Sequence, residues 1–283
     1  MAISAKTFLT LHRIYSRIPG VRLIHKFATG RHKVIIPDKE VFGLRFRTPL
    51  GLAPGLDCNA DYLDFLPNFG FSHICVGPLT PRPQENAPEV NNRGIRYALA
   101  HLQPYKDKCG KLAIDLTAGS GCEGEIQIVK DFNTAFSLAY DFADFFILDF
   151  SPASLKPYFD EALVTAVCDT VLETRLTYET YRPVIVRLPA GVPAAMVEEI
   201  VSWCRLNGVD GISVPERETV RQIAALTGRH FPVIYTGPVG KPAEATAILS
   251  DGADLIGISD EFVSRGGKFV ANIYKTIEQQ SRQ

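Results

Sequence analysis

Paired cysteines at metal-binding spacing, a long apolar run and a surplus of charge of either sign are all missing from this sequence. Its six cysteines, Cys58, Cys75, Cys109, Cys122, Cys168 and Cys204, never fall as CxxC. That removes support for zinc-ribbon and iron–sulfur centres. No uncharged apolar stretch reaches the roughly 18 residues a spanning helix needs. No short apolar core with a small-residue cleavage site is present near residue 1, so a secretory signal is not expected and free thiols in a reducing cytoplasm are. The net charge of −1 and pI of about 6.6 argue against a dedicated nucleic-acid binder. No GxGxxG follows the first apolar run, which weakens a dinucleotide-binding open sheet.

What is present is an ordinary globular composition, 46% apolar and 22% charged, over 283 residues. One (β/α)8 barrel typically takes ~250 residues. Eight short apolar runs read as strands: Leu50–Pro54, His73–Gly77, Leu112–Leu116, Phe145–Phe150, Val184–Leu188, Gly211–Val214, Val233–Thr236 and Asp254–Ile258. Near-continuous apolar runs suit parallel strands buried on both faces. Amphipathic stretches over 60–68, 123–141, 156–180, 193–207, 216–227, 241–250 and 261–280 predict helices between them, and 78–110 reads as a Pro-rich loop. The alternation predicts an α/β fold, a (β/α)8 TIM barrel over 38–283. Short strands at Val34–Ile36 and Val41–Phe46 are expected to close its bottom.

The charge is uneven. Residues 1–37 hold Lys6, Arg13, Arg17, Arg22, Lys26, Arg31 and Lys33 and no acid. Phe8, Leu11, Ile14, Tyr15 and Ile18 recur at helical spacing before Pro19-Gly20, and Val21, Leu23, Ile24 and Phe27 predict a second short helix. Two readings stand for this N-terminal hairpin. It lies on an anionic membrane surface through residues 1–33, or it packs on the barrel with its basic face in water. A mitochondrial transit peptide also fits the composition. The expected localisation is cytoplasmic, or peripheral on the inner face of a membrane; a homodimer is left open.

Chemistry in such barrels gathers where strands end and loops begin. The strand ends bring Gly55, Asp57, Cys58, Thr80, Asp115, Thr117, Asp149, Ser151, Arg187, Glu216, Arg217, Thr236, Gly237, Ser259, Asp260 and Glu261 to one mouth. Six carboxylates face two arginines there. Three readings fit: ion pairing with Arg96, Arg187 and Arg217; a divalent cation held by Asp115 and Asp149; or a cationic small molecule.

At Pro49-Leu-Gly-Leu-Ala-Pro-Gly-Leu-Asp57 and Gly77-Pro-Leu-Thr-Pro-Arg-Pro-Gln84 the chain resembles the dihydroorotate dehydrogenases, specifically their membrane-associated class 2 branch. The resemblance extends through the basic N-terminal segment, Phe42-Gly-Leu-Arg-Phe46 and Phe145-Phe-Ile-Leu-Asp-Phe-Ser-Pro152. It implies FMN on the barrel mouth, dihydroorotate stacked on the flavin, a serine base, and a membrane quinone that reoxidises the flavin beside the N-terminal helices. Ser151 takes the position of the base. Asn91 matches a substrate-binding asparagine. Gly55, Thr80, Asp115, Asp149, Arg187, Gly237 and Ser259 stand at cofactor-binding positions.

Many of these positions depart from the family pattern. Cys58 replaces a lysine, Asp115 and Asp149 replace asparagines, and Arg187 replaces another lysine. Pro215-Glu216-Arg217 stands where the family has T-N-T. The phosphate-binding loops read Tyr235-Thr-Gly-Pro238 and Ser259-Asp260-Glu261, and the stretch 215–232 is short. Aspartates beside an anionic orotate are expected to repel it. Two acids beside a phosphate are unfavourable, and Pro238 offers no N–H. The departures predict a chain without the family's FMN and orotate binding, a non-flavin protein with a binding or regulatory role and a small-molecule ligand at the mouth. The alternative is active FMN-dependent oxidation of dihydroorotate to orotate with quinone as acceptor. A weaker alternative is a metal-assisted enzyme built on Asp115 and Asp149.

Overall fold

The structure is a computed structural model that describes residues 7, 9–11, 14, 38–84, 90–105 and 110–281. Strands β1 (Lys39–Val41) and β2 (Leu44–Phe46) form an antiparallel hairpin. Then follow β3 (Leu50–Leu52), β4 (His73–Leu79), α1 (Ile95–Leu102), β5 (Lys111–Leu116), α2 (Glu125–Ala139), β6 (Phe145–Asp149), α3 (Glu161–Arg175) and β7 (Val184–Arg187). The chain continues through α4 (Ala194–Leu206), β8 (Gly211–Val214), α5 (Arg217–Thr227), β9 (Val233–Tyr235), α6 (Pro242–Asp251), β10 (Leu255–Ile258) and α7 (Asp260–Ser281). Strands β3 to β10 are all parallel and close into a barrel, with Ile256, Gly257 and Ile258 of β10 opposite Leu50, Gly51 and Leu52 of β3. This is the (β/α)8 architecture the alternation predicts, and each of the eight strands falls on its expected apolar run.

The strands are buried on both faces, which is why they read as apolar runs rather than alternating ones. The bottom of the barrel is plugged by the β1–β2 hairpin: Val41 and Phe46 pack with Cys75, Ala113, Phe145 and Leu255. His73 stands in this plug, its ring 5.8 Å from both Phe46 and Phe145. Gly51 makes the room, because a Cβ there would lie 2.1 Å from the His73 ring. The helices end where local chemistry stops them. Asp160 caps α3 by accepting the Leu163 N–H at 2.8 Å, and Gly228 ends α5 in the left-handed region at φ 59°.

Three expectations need correction. No helix spans 60–68; a single 3-10 turn at Leu66–Phe69 stands there. Buried Asp57 collects the N–H groups of Asn59, Asp61 and Tyr62, which fixes 57–62 as a loop before a helix can start. The region 78–110 is not all loop, since α1 buries Ile95, Ala98, Leu99 and Leu102 at helical spacing. The strand expected at Val41–Phe46 is instead a hairpin, 39–41 paired with 44–46; the one expected at Val34–Ile36 lies outside the described residues. Most of the N-terminal helix pair lies outside them too. Residues 7, 9–11 and 14 are helical, with Leu9 buried in the main core and Ile14 54% exposed. Among the described residues no helix is long and apolar enough to cross a membrane.

Burial lowers the His73 pKa to about 4 from its ordinary value of 6.5. As pH falls below 6.5 the unfolded chain takes up a proton that the folded ring refuses, so stability is lost progressively down to about pH 4. At ~1.4 kcal/mol per unit the full loss is about 3 kcal/mol. Urea denaturation at pH 7 and pH 4.5 is expected to show a smaller drop for His73→Leu than for the wild type, by about 2–3 kcal/mol. Equal drops would mean the buried ring accepts its proton.

Candidate functional site at the barrel mouth

The floor of the mouth is built on β5, β6 and β7. Asp149 and Arg187 are register partners at the ends of β6 and β7. Arg187 Nη1 lies 3.1 Å from Asp149 Oδ2 and 3.8 Å from Asp115 Oδ2. Asp149 Oδ1 also accepts the Ser151 N–H at 2.8 Å. Asp115 is fully buried, and neither of its oxygens receives a hydrogen bond from a protein donor. Burial, then the charge of Asp149, push its pKa well above the carboxylate range, with Arg187 opposing. Burial alone would lower Arg187, but Asp149 and Asp115 outweigh it and hold it above its ordinary value.

Burial beside the Asp149–Arg187 pair thus favours the neutral form of Asp115. A neutral carboxyl carries a donor and an acceptor, as an amide does. In that form Asp115 repels an anionic ligand less than a carboxylate would. Of the arginines expected to compensate the mouth, only Arg187 does so. Arg217 turns to Asp251, 2.8 Å away through Nε, and Arg96 is exposed.

The ends of β3 and β4 form one wall. Asp57 is buried with its pKa raised to about 6 by burial, against the three N–H bonds it accepts. Cys58 donates to the Gly77 carbonyl at 3.4 Å, and burial, with Asp57 and Asp115, pushes its thiol up to about 12. It stays protonated and is not a reactive thiolate. Thr80 is fully buried, and its one hydroxyl proton is shared between the Arg82 carbonyl at 2.7 Å and Asn92 Oδ1 at 3.0 Å. Asn92 in turn bonds Pro78, Val90 and the Gly94 N–H. Thr80 thus belongs to a structural knot that secures the 80–94 loop. Asn91, the substrate-binding candidate, is exposed beside it.

Pro54, Gly55, Pro78, Asp149, Ser151, Pro152, Ala153 and Arg187 line a pocket of about 340 Å³. It therefore joins Ser151, Gly55, Asp149 and Arg187, with Asp115 beneath. Its size is at the lower end of small-molecule sites, which run ~300–1,000 Å³. Asn91, Gly237 and Ser259 do not line it. Among the described residues no group of three or more His, Cys, Asp and Glu side chains could hold a metal ion.

The loops after β9 and β10 form the opposite rim. Gly237 is pressed against the Pro215 carbonyl and the Tyr235 ring, where no Cβ fits. Tyr235 donates to the Pro238 carbonyl at 3.0 Å. The Val239 N–H donates to Glu261 Oε1 at 2.7 Å, and the Gly240 N–H to Glu244 Oε2 at 2.7 Å. The Ser259 carbonyl accepts the Val263 N–H at the start of α7. Glu216 accepts the Gly191 N–H at 3.1 Å. An FMN phosphate would need the backbone donors of these two loops. Pro238 has none, and those of Val239 and Gly240 already hold carboxylates. The residues present do not fit an FMN phosphate. Glu261 was visible in the sequence as an acid, but nothing there marked Val239 as its partner.

This chain resembles the quinone-type dihydroorotate dehydrogenases over most of its length. It is 24% identical to the dihydroorotate dehydrogenase (quinone) of Alkalilimnicola ehrlichii, with 86% of this chain and 87% of that protein covered. It is 21% identical to that of Christiangramia forsetii, covering 94% and 91%. Among solved structures it superposes on DHODH from Eimeria tenella in complex with ferulenol with a TM-score of 0.79 at 16% identity, covering 92% and 91% of the two chains. No family model matches the chain.

Asp115→Asn puts a neutral amide where burial already favours a neutral carboxyl, so stability at pH 7 is expected to change by less than about 1 kcal/mol. The double change Asp115→Asn/Asp149→Asn leaves Arg187 with no carboxylate and is expected to cost about 3–5 kcal/mol. Guanidinium denaturation compares them. A single variant as damaged as the double would mean that Asp115 is an anion paired with Arg187.

Proposed function

We propose that this chain is a dihydroorotate dehydrogenase-like barrel that binds a small molecule at its mouth and does not hold FMN in the family's way. The observation that carries this reading is the occupation of the Val239 and Gly240 N–H groups by Glu261 and Glu244. Two further features support it. Arg187 is engaged by Asp149 and Asp115 within the protein, so little of its charge is open to an anionic ligand. Cys58 stands, as a neutral thiol, where a lysine would carry positive charge.

A second reading is favoured by the curated relatives, whose names are those of working quinone-type enzymes and whose likeness spans nearly the full chain. In that reading the chain oxidises dihydroorotate to orotate in pyrimidine biosynthesis with quinone as acceptor. Ser151, half-exposed in the pocket lining, then serves as the base. The neutral Asp115 carboxyl would stand in for an amide.

The visible absorption spectrum of the purified protein, repeated after incubation with excess FMN and desalting, separates the two. No retained flavin band is the expected result. A retained band overturns the first reading; dihydroorotate–quinone turnover would then fall by about 10²–10⁴-fold in Ser151→Ala if that side chain is the base.

A further inference from the structure

From the two loops beyond β9 and β10 we infer that Glu261 is a built-in occupant of an anion cradle, so that this chain excludes phosphate monoesters by filling the cradle with its own carboxylate. The inference deepens the reading above and rests on it for the absence of tightly held FMN.

Three successive backbone N–H groups, of Val239, Gly240 and Lys241, all donate to carboxylates, at 2.7, 2.7 and 3.3 Å. Consecutive N–H groups in a turn make a concavity suited to an anion. Two of the three bonds have a local explanation. Glu244 sits in the first turn of α6 and bonds Gly240 and Lys241 just before it, as a helix-capping carboxylate does. Capping does not account for the third. Glu261 belongs to the first turn of α7, follows a different strand, and crosses to the loop after β9. One turn further along α7, Arg265 Nη1 donates to the Gly240 carbonyl. Helix α7 therefore grips the β9–α6 loop through one carboxylate and one guanidinium.

Val239 is buried, so its N–H would lose hydration without a partner. Glu261 supplies that partner permanently. An incoming phosphate dianion would have to evict it and then lie beside Asp260 and Glu261, both at the α7 start. The floor beneath is closed too: Gly237 leaves no space over Tyr235 and the Pro215 carbonyl. An unphosphorylated ligand meets none of these obstacles, because the pocket with Ser151 and Arg187 lies on the other loops.

The test is inorganic phosphate binding to the full chain, followed by 31P line broadening and thermal shift at matched ionic strength with chloride. Glu261→Ser is the main variant: serine is favourable at a helix start and too short to reach Val239. Glu261→Ala is the second, and circular dichroism checks the folding of both. At least one of them is expected to bind phosphate about tenfold or more tighter than the wild type. Glu261→Gln keeps a carbonyl acceptor for the Val239 N–H and is expected to stay as closed as the wild type. Folded Ser and Ala variants with unchanged affinity would overturn the inference. So would a wild type that binds phosphate equally well, or a Gln variant that gains as much as Ser, since charge rather than occupancy would then be at work. Wild-type protein that retains FMN overturns the earlier reading; wild-type protein without FMN but with inert variants overturns only this one.

Discussion

Asp149 and Arg187 face each other across adjacent parallel strands, and their contact governs the chemistry of the barrel mouth. A guanidinium this enclosed needs a carboxylate, and Asp149 gives it one at 3.1 Å. Beside that pair a second negative charge on Asp115 in the same dry space is unfavourable, and burial with Asp149 pushes the Asp115 pKa well up. The same Asp149 carboxylate receives the Ser151 N–H, and its main-chain carbonyl receives the Thr117 hydroxyl at 2.9 Å. The loop carrying Ser151 is thus aimed by the ion pair. The pocket wall, the charge of the floor and the orientation of the candidate base all depend on one contact between neighbouring strand ends.

The same logic extends around the rim. Counting side chains makes the mouth acidic, yet its carboxylates are almost all matched within the protein. Asp57 takes three backbone N–H groups, Glu216 takes that of Gly191, and Glu261 takes that of Val239. A carboxylate bonded to main-chain donors stiffens a loop and presents less charge outward. These acids therefore work as staples between loops. A cation site needs oxygens that converge with open coordination positions. Apart from Asp115 and Asp149, which share Arg187, these oxygens are dispersed onto separate loops.

The strands were legible because burial on both faces leaves an apolar run that does not depend on tertiary detail; Phe145–Asp149 and Leu255–Ile258 are examples. Helix α1 was missed: Ile95, Ala98, Leu99 and Leu102 carry its spacing, but the prolines before it made 78–110 read as a loop. The site was legible only as a set of strand-end positions. Which asparagine of Asn91-Asn92 is buried depends on Thr80, twelve residues earlier. The partner of Glu261 stands 22 residues away on another loop. The protonation of Asp115 depends on burial and on Asp149 together. Such pairings arise from barrel closure, and a linear pattern does not carry them.

The likeness to the dihydroorotate dehydrogenases is carried by the barrel, and barrel strands and mouth loops answer to different demands. Strand interiors must fill a shared core, so apolar character persists even where identity falls to 16–24%. Loops need only satisfy their own polar groups, and here they do so internally. A loop whose N–H groups await a phosphate is incomplete without one. The loop at Val239 is complete as it stands, because α7 brings Glu261 and Arg265 to it. Closing that loop removes the need for a bound anion to hold β9–α6 against β10–α7. A shared barrel is thus compatible with different chemistry at its mouth.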